Sequence, residues 1–147
     1  MIKFLKFFII LKILFLNFNY ANSNDDIFEE ALKKYNKKDF EQSKFLFQRS
    51  IVFNPKDARS YLYLAKIFNN EENQSEEKKN LDTTLLLEPN NEEALYMLIN
   101  IELERSNFEK VNLLLNNFEK SCNKLCKKKN EINKSLQDFQ SKNEKTE

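Results

Sequence analysis

The chain of 147 residues has no glycine, no histidine and no tryptophan, and it holds two prolines and two cysteines. Without glycine there is no phosphate-cradling loop, no dinucleotide fingerprint and no nucleophile elbow, since each needs backbone freedom or close approach that a Cβ obstructs. Without histidine, serine triads, histidine-ligated metal sites and c-type haem attachment are excluded. Neither sign of charge is in excess, with 24 Lys and Arg against 23 Asp and Glu. Nucleic-acid binding is disfavoured, because it wants a concentrated basic face. Carboxylates cluster as Asp25, Asp26, Glu29 and Glu30 and as Glu71, Glu72, Glu76 and Glu77, without calcium-loop spacing. At helix starts and turns these are solvated charges favoured by the helix dipole. The expectation is a chain that is not an enzyme and needs no cofactor and no metal.

What is present is a period. Pro55 and Pro89, the two prolines, are 34 residues apart, and self-similarity at such a spacing is the signature of a repeat architecture. Three blocks then align without gaps, 24–57, 58–91 and 92–125. Asp39, Asn73 and Asn107 fall in one column and Ser23, Asp57 and Asn91 in another. All six can accept a bond from the free N–H groups of a helix start. Gln42 and Glu76 follow their caps by three residues, the spacing of a capping box. Each block is therefore predicted to begin two helices.

Apolar spacing supports that division. Tyr61, Leu64, Ala65 and Phe68 recur at i, i+3, i+4, i+7, as do Leu95, Leu98 and Ile99 in part. The second helices carry Phe40, Phe47 and Ile51, then Leu81 and Leu85, then Phe108, Val111, Leu115 and Phe118. Pro55 and Pro89 end their helices because proline lacks the N–H and biases the preceding residue away from helical angles.

These residues resemble the tetratricopeptide repeats over 24 to about 121. Ala31 and Ala65 hold the small position 8 of that pattern, and Phe40 and Phe108 hold position 17. Phe47, Leu81 and Leu115 stand at position 24, Pro55 and Pro89 at position 32. Ser43, Glu77 and Val111 replace the usual alanine at position 20, Phe118 occupies the small position 27, and the third repeat has no proline. In the first repeat the stripe Phe28, Ala31, Leu32 and Tyr35 is turned by one residue. The fold class expected is all-α: a right-handed superhelix of about three antiparallel helix pairs plus a C-terminal capping helix.

Residues 1–23 have Lys3 and Lys6, an apolar stretch Phe7 to Leu16 and a polar end at Ala21, Asn22 and Ser23, the layout of a secretory signal peptide. Cleavage after Ser23 is expected, an uncleaved membrane anchor being the rival. Removal takes away Lys3, Lys6 and Lys12, leaving 21 basic against 23 acidic residues, a formal −2. At the other end, the region 126–140 is expected to cap the array, with Asn130 as its N-cap and Ile132, Leu136 and Phe139 on its apolar side, followed by a disordered tail at 141–147.

Cys122 and Cys126 are the one reactive constellation. Side chains at i and i+4 of a regular helix suit a disulfide poorly, so a bond requires the helix to end near Cys122. A small Cys loop would then close the third repeat where proline closes the others. Inert thiols, or redox and soft-metal work, are the alternatives.

The tetratricopeptide resemblance implies a concave groove lined by the first helices, which in this register carries Phe28, Leu32, Tyr35, Leu62, Lys66, Asn69, Tyr96, Asn100 and Leu103. Phe28 and Leu32 stand where chaperone-binding members place the lysine and asparagine of a carboxylate clamp, so a terminal-carboxylate ligand is not expected. The function expected is an exported, non-enzymatic scaffold or adaptor of the periplasm or cell envelope that binds another protein. Self-association is a rival, and a thiol-dependent carrier using Cys122 and Cys126 is the alternative from another class. Membrane contact is expected only through the N-terminal segment, if it is retained.

Overall fold

A computed structural model of the chain describes residues 25–143. The expected signal segment and the cap at Ser23 lie outside those residues, as does 144–147. The described residues form seven helices: α1 (25–36), α2 (Phe40–Phe53), α3 (Ala58–Asn70), α4 (Gln74–Leu87), α5 (Glu92–Glu104), α6 (Phe108–Ser121) and α7 (Lys128–Asn143). The all-α class is as expected, with α1 and α2, α3 and α4, and α5 and α6 as antiparallel pairs and α7 trailing. The chain divides into two compact units, one ending at Ser60 and one starting at Tyr61.

In the first unit α1 meets α2 through the rings of Phe28 and Phe47, 5.5 Å apart. The Ser43 hydroxyl donates to the Ala31 carbonyl at 3.0 Å, so the serine that replaces the usual alanine is fully buried yet satisfied. The first turn of α3 closes this unit. Buried Asp57 accepts from the backbone N–H of Arg59 at 3.2 Å and from the hydroxyl of Ser60 at 3.2 Å. The Arg59 guanidinium bonds the same carboxylate at 2.9 Å, reaches Asp25 at 3.1 Å and lies 4.2 Å from the Phe28 ring centroid.

The second unit is built on a continuous core containing Leu62 and Ala65 of α3, Leu81 of α4, Leu95, Leu98 and Ile99 of α5, Val111, Leu115 and Phe118 of α6, and Ile132 and Leu136 of α7. Phe118, bulky at a small position, is fully buried, where the equivalent Ser50 and Thr84 are also buried. Its ring centroid is 6.5 Å from that of Tyr96.

The caps read from sequence at Asp39, Asn73, Asn91 and Asn107 are made. Asp39, Asn73 and Asn107 each accept from the N–H three residues on, at 3.4, 3.2 and 3.4 Å, and Asn91 accepts from Ala94 at 3.0 Å. The Glu76 carboxylate, expected to reach back in a capping box, holds Lys79 at 3.3 Å. Asn130 is not a cap: α7 starts at Lys128, inside a turn in which Lys128 and Lys129 donate to the carbonyls of Leu125 and Cys126 at 2.8 and 3.1 Å. That turn begins the helix early, and α7 also continues through 141–143, into the stretch expected to be disordered.

The reversal within each pair follows one design. Lys38, Glu72 and Ser106 occupy the left-handed region with φ of 60, 56 and 55°. Each donates to the carbonyl three residues back, at 2.9, 3.1 and 2.9 Å, and the next residue donates to the carbonyl five back, at 3.1, 2.9 and 2.9 Å. These two bonds define a Schellman motif, whose left-handed position is normally glycine. Here the residue after it is also the N-cap of the next helix.

A residue with a Cβ in that conformation costs about 1–2 kcal/mol, and glycine returns about 0.4–1 kcal/mol through the unfolded chain. Lys38→Gly, Glu72→Gly and Ser106→Gly are therefore each expected to stabilise the protein by about 0.5–1 kcal/mol, raising Tm by a few degrees in thermal melts. Three unchanged or lowered midpoints would show that the turns are not strained.

Candidate functional site

The first helices hold the residues expected to meet a partner, and the structure sorts them by burial. Phe28, Leu62 and Leu103 are 4, 7 and 4% exposed and belong to the core. Buried to that degree they offer little contact area, and Phe28 is packed by Phe47 and Arg59. In the first unit Leu32 and Tyr35 are half-buried, and the Tyr35 ring lies 5.5 Å from Phe40. In the second unit Lys66, Tyr96 and Asn100 are half-buried and Asn69 is exposed.

Lys66, Asn69 and Tyr96 have local partners. Lys66 pairs with Glu93 at 2.8 Å, joining α3 to α5, and its ammonium lies 4.4 Å from the Tyr63 ring centroid. Asn69 donates to Glu77 at 3.1 Å. The Tyr96 hydroxyl donates to Glu131 at 3.2 Å, and Lys128 bonds that carboxylate at 2.7 Å, so Tyr96 ties α5 to α7.

Three carboxylates shape the electrostatics of the second unit. Glu77, at the position of the missing alanine, is 4% exposed. Burial raises its pKa, the Asn69 amide offsets this in part, and Glu104 adds repulsion. Burial acts the same way on Glu102, but Lys78 at 2.7 Å and the Asn107 amide at 3.0 Å outweigh it and hold the pKa below the ordinary value. Lys78 is raised because its bonds to Glu102 and Asp82 overcome its own desolvation.

Glu92, the first residue of α5, is gripped by consecutive backbone N–H groups: Asn123 at 2.6 Å, Lys124 at 3.0 Å and Leu125 at 3.1 Å. The Asn123 bond leads, opposed by some desolvation and helped by the other two, and the pKa falls. These three N–H groups belong to the loop closed by a disulfide between Cys122 and Cys126, whose Cα atoms are 5.1 Å apart. Cys122 ends α6 with extended φ and ψ of −62 and 142°. Among the described residues no group of three or more His, Cys, Asp or Glu side chains could hold a metal ion.

Glu92 and the Lys78–Glu102 pair were not singled out by sequence reasoning. The signal for Glu92 was Asn123, which stands 34 residues after Pro89 and has the N–H that proline lacks.

No protein-family model matches the chain, and no curated protein is similar to it in sequence. Solved structures do match. The type III secretion translocator chaperone SycD of Yersinia enterocolitica is similar with a TM-score of 0.71 and 13% identity, over 84% of this chain and 88% of that one. SycD in complex with a peptide of the translocator YopD matches with a TM-score of 0.69 and 12% identity, over 83% and 95%. The Sgt2 TPR domain from Aspergillus fumigatus matches with a TM-score of 0.63 and 9% identity, over 84% and 81%. At such identities the likeness is one of fold, and the chain has a tetratricopeptide-like helical-repeat fold.

Two measurements follow. Because Glu77 has a raised folded pKa, wild-type stability is lost as pH rises through that value. Glu77→Gln is therefore expected to raise Tm at pH 7, with the gain vanishing below about pH 4.5, near the unfolded pKa; a gain that persists in acid would contradict this. Glu92 has the opposite sign, its contribution being present above the unfolded value and lost as pH falls through the folded one. Reducing the disulfide, whose small loop is worth about 2 kcal/mol, and Glu92→Gln at pH 7 should both speed amide exchange in α7 while leaving 25–60 unchanged. Equal acceleration in both regions would show that the loop does not anchor α7.

Proposed function

We propose that the chain is a non-enzymatic scaffold or adaptor that binds a segment of another protein through its first helices, as an exported protein of the periplasm or cell envelope. The observation that carries this reading is the fold match to SycD holding a peptide of YopD, which extends over 95% of that chain. Helical repeats present many side chains from rigid elements, and function resides in those side chains.

In the second unit, Lys66, Asn69, Tyr96 and Asn100 are the accessible members of the expected set. Tyr96 brings a large ring with little rotamer entropy to lose. Lys66 can exchange Glu93 for an acidic group on the partner, and Asn69 and Asn100 can bond its backbone. In the first unit Leu32 and Tyr35 remain as candidates. The partner is an extended protein segment, and the carboxylate clamp is not part of the reading.

Export is supported by the signal-like layout of 1–23 and by the disulfide, since such bonds persist in oxidising compartments. Among the described residues no helix is long and apolar enough to cross a membrane, so membrane contact is assigned to the N-terminal segment if it is retained. The cysteines bear on loop geometry, and nothing in their surroundings favours a thiol-dependent carrier.

Crosslinking and affinity capture from the native envelope test the proposal. Lys66→Ala with Asn100→Ala, shown by circular dichroism to be folded, should reduce recovery of the dominant partner at least tenfold. Cys122→Ser with Cys126→Ser should retain it. Loss in the cysteine variant alone would defeat the adaptor reading.

A further inference from the structure

The second helix of the first unit carries an apolar face unlike any other in the described residues. Phe45, Val52 and Phe53 are 61, 78 and 45% exposed. Phe45 and Val52 are seven residues apart, within about 20° of one stripe on an α-helix. Leu86 on α4 and Leu113 on α6 are exposed singly, which is unremarkable for a soluble surface. The α2 stripe is framed by exposed Glu41 at one end, Gln48 and Arg49 in the middle and Lys56 just past the other end. The Arg49 guanidinium lies 5.9 Å from the Phe53 ring centroid.

The order of these groups is self-complementary. If a second α2 is laid antiparallel across the first, with the two-fold axis between Gln48 and Arg49, Phe45 meets Val52 of the second copy and Gln48 meets Arg49 of the second copy. Glu41 then meets Lys56 of the second copy. Each contact occurs twice, as an isologous interface requires, with Gln48 and Arg49 at the axis, an apolar pair on either side of it and opposite charges at the rim. A parallel arrangement would set Glu41 against Glu41 and Lys56 against Lys56 and lose both ion pairs. An anionic lipid surface would leave Glu41 facing like charge.

We propose that the α2 face is the interface of an antiparallel homodimer of this chain. The stripe is one short helix, smaller than the roughly 800 Å² per partner of a stable interface, so the dimer is of the weak, transient class. It uses a second helix and leaves the proposed partner-binding residues of the first helices outside the contact.

Sedimentation velocity of the full chain from about 5 to 500 µM reads the dimer directly. Every variant keeps the N-terminal segment, so differences between variants report on α2. Phe45→Ser with Val52→Ser should weaken dimerisation at least tenfold, and these exposed positions can change without unfolding, which thermal melts check. Glu41→Lys alone and Lys56→Glu alone should each weaken it several-fold at low salt. An equimolar mixture of those two variants, and the double swap in one chain, should both restore it. A monomer throughout the range would overturn the proposal, as would a dimer indifferent to these changes. Binding of phosphatidylglycerol vesicles that depends on Phe45 and Val52, without any dimer, would overturn it in favour of a lipid surface.

Discussion

The rest of the molecule depends on the reversal between the first and second helix of each pair. In six residues the chain must satisfy the last carbonyls of one helix and the first N–H groups of the next, because a backbone group left unpaired costs about as much as a lost hydrogen bond. Lys34 to Asp39, Phe68 to Asn73 and Glu102 to Asn107 do both with the same two backbone bonds and one cap side chain. Because the cap is fused to the Schellman turn, the angle between the helices has little freedom. Ala31 and Ala65 can then be fully buried between helix neighbours.

The second-helix position where the usual alanine is missing is filled in three ways. Ser43 reaches the Ala31 carbonyl, Glu77 turns to the Asn69 amide, and Val111 simply packs. Three chemistries are tolerated because each leaves no buried polar atom without a partner, and among the described residues none is left so. Glu77 is the expensive solution, a carboxyl whose charge burial opposes. The Lys78–Glu102 contact shows the converse, where a buried carboxylate stays ionised because a cation and an amide face it.

The caps were legible in the sequence because asparagine and aspartate declare their role by chemistry, and the period was legible because Pro55 and Pro89 have one physical meaning. The left-handed turns were hidden: Lys38, Glu72 and Ser106 share no chemistry, and the lack of glycine removes the usual mark. Their common column was the only available clue. Burial on the first helices was partly hidden too. Phe28, Leu62 and Leu103 sit at register positions associated with a groove, yet whether such a side chain turns outward depends on neighbours that one helix does not specify. Tyr96 reaches Glu131, 35 residues away, a contact that no local pattern announces.

At the end of the third repeat, the loss of proline has a structural consequence beyond removing a helix stop. Proline at 123 would keep the chain extended but supply no N–H, whereas Asn123 gives the shortest of the bonds to Glu92. Three converging N–H groups form an anion-binding concavity, and a carboxylate at the start of α5 fills it. The disulfide restricts the loop between its first and last residues, which keeps those N–H groups together, and the turn that follows starts α7 at Lys128. Asn123 in place of proline, together with the disulfide around it, thus converts a simple helix stop into the anchor for the trailing helix, which brings Ile132 and Leu136 into the core of the second unit. The cysteines and Glu92 therefore act as one device, the covalent bond holding the loop closed and the carboxylate fixing it to the start of α5.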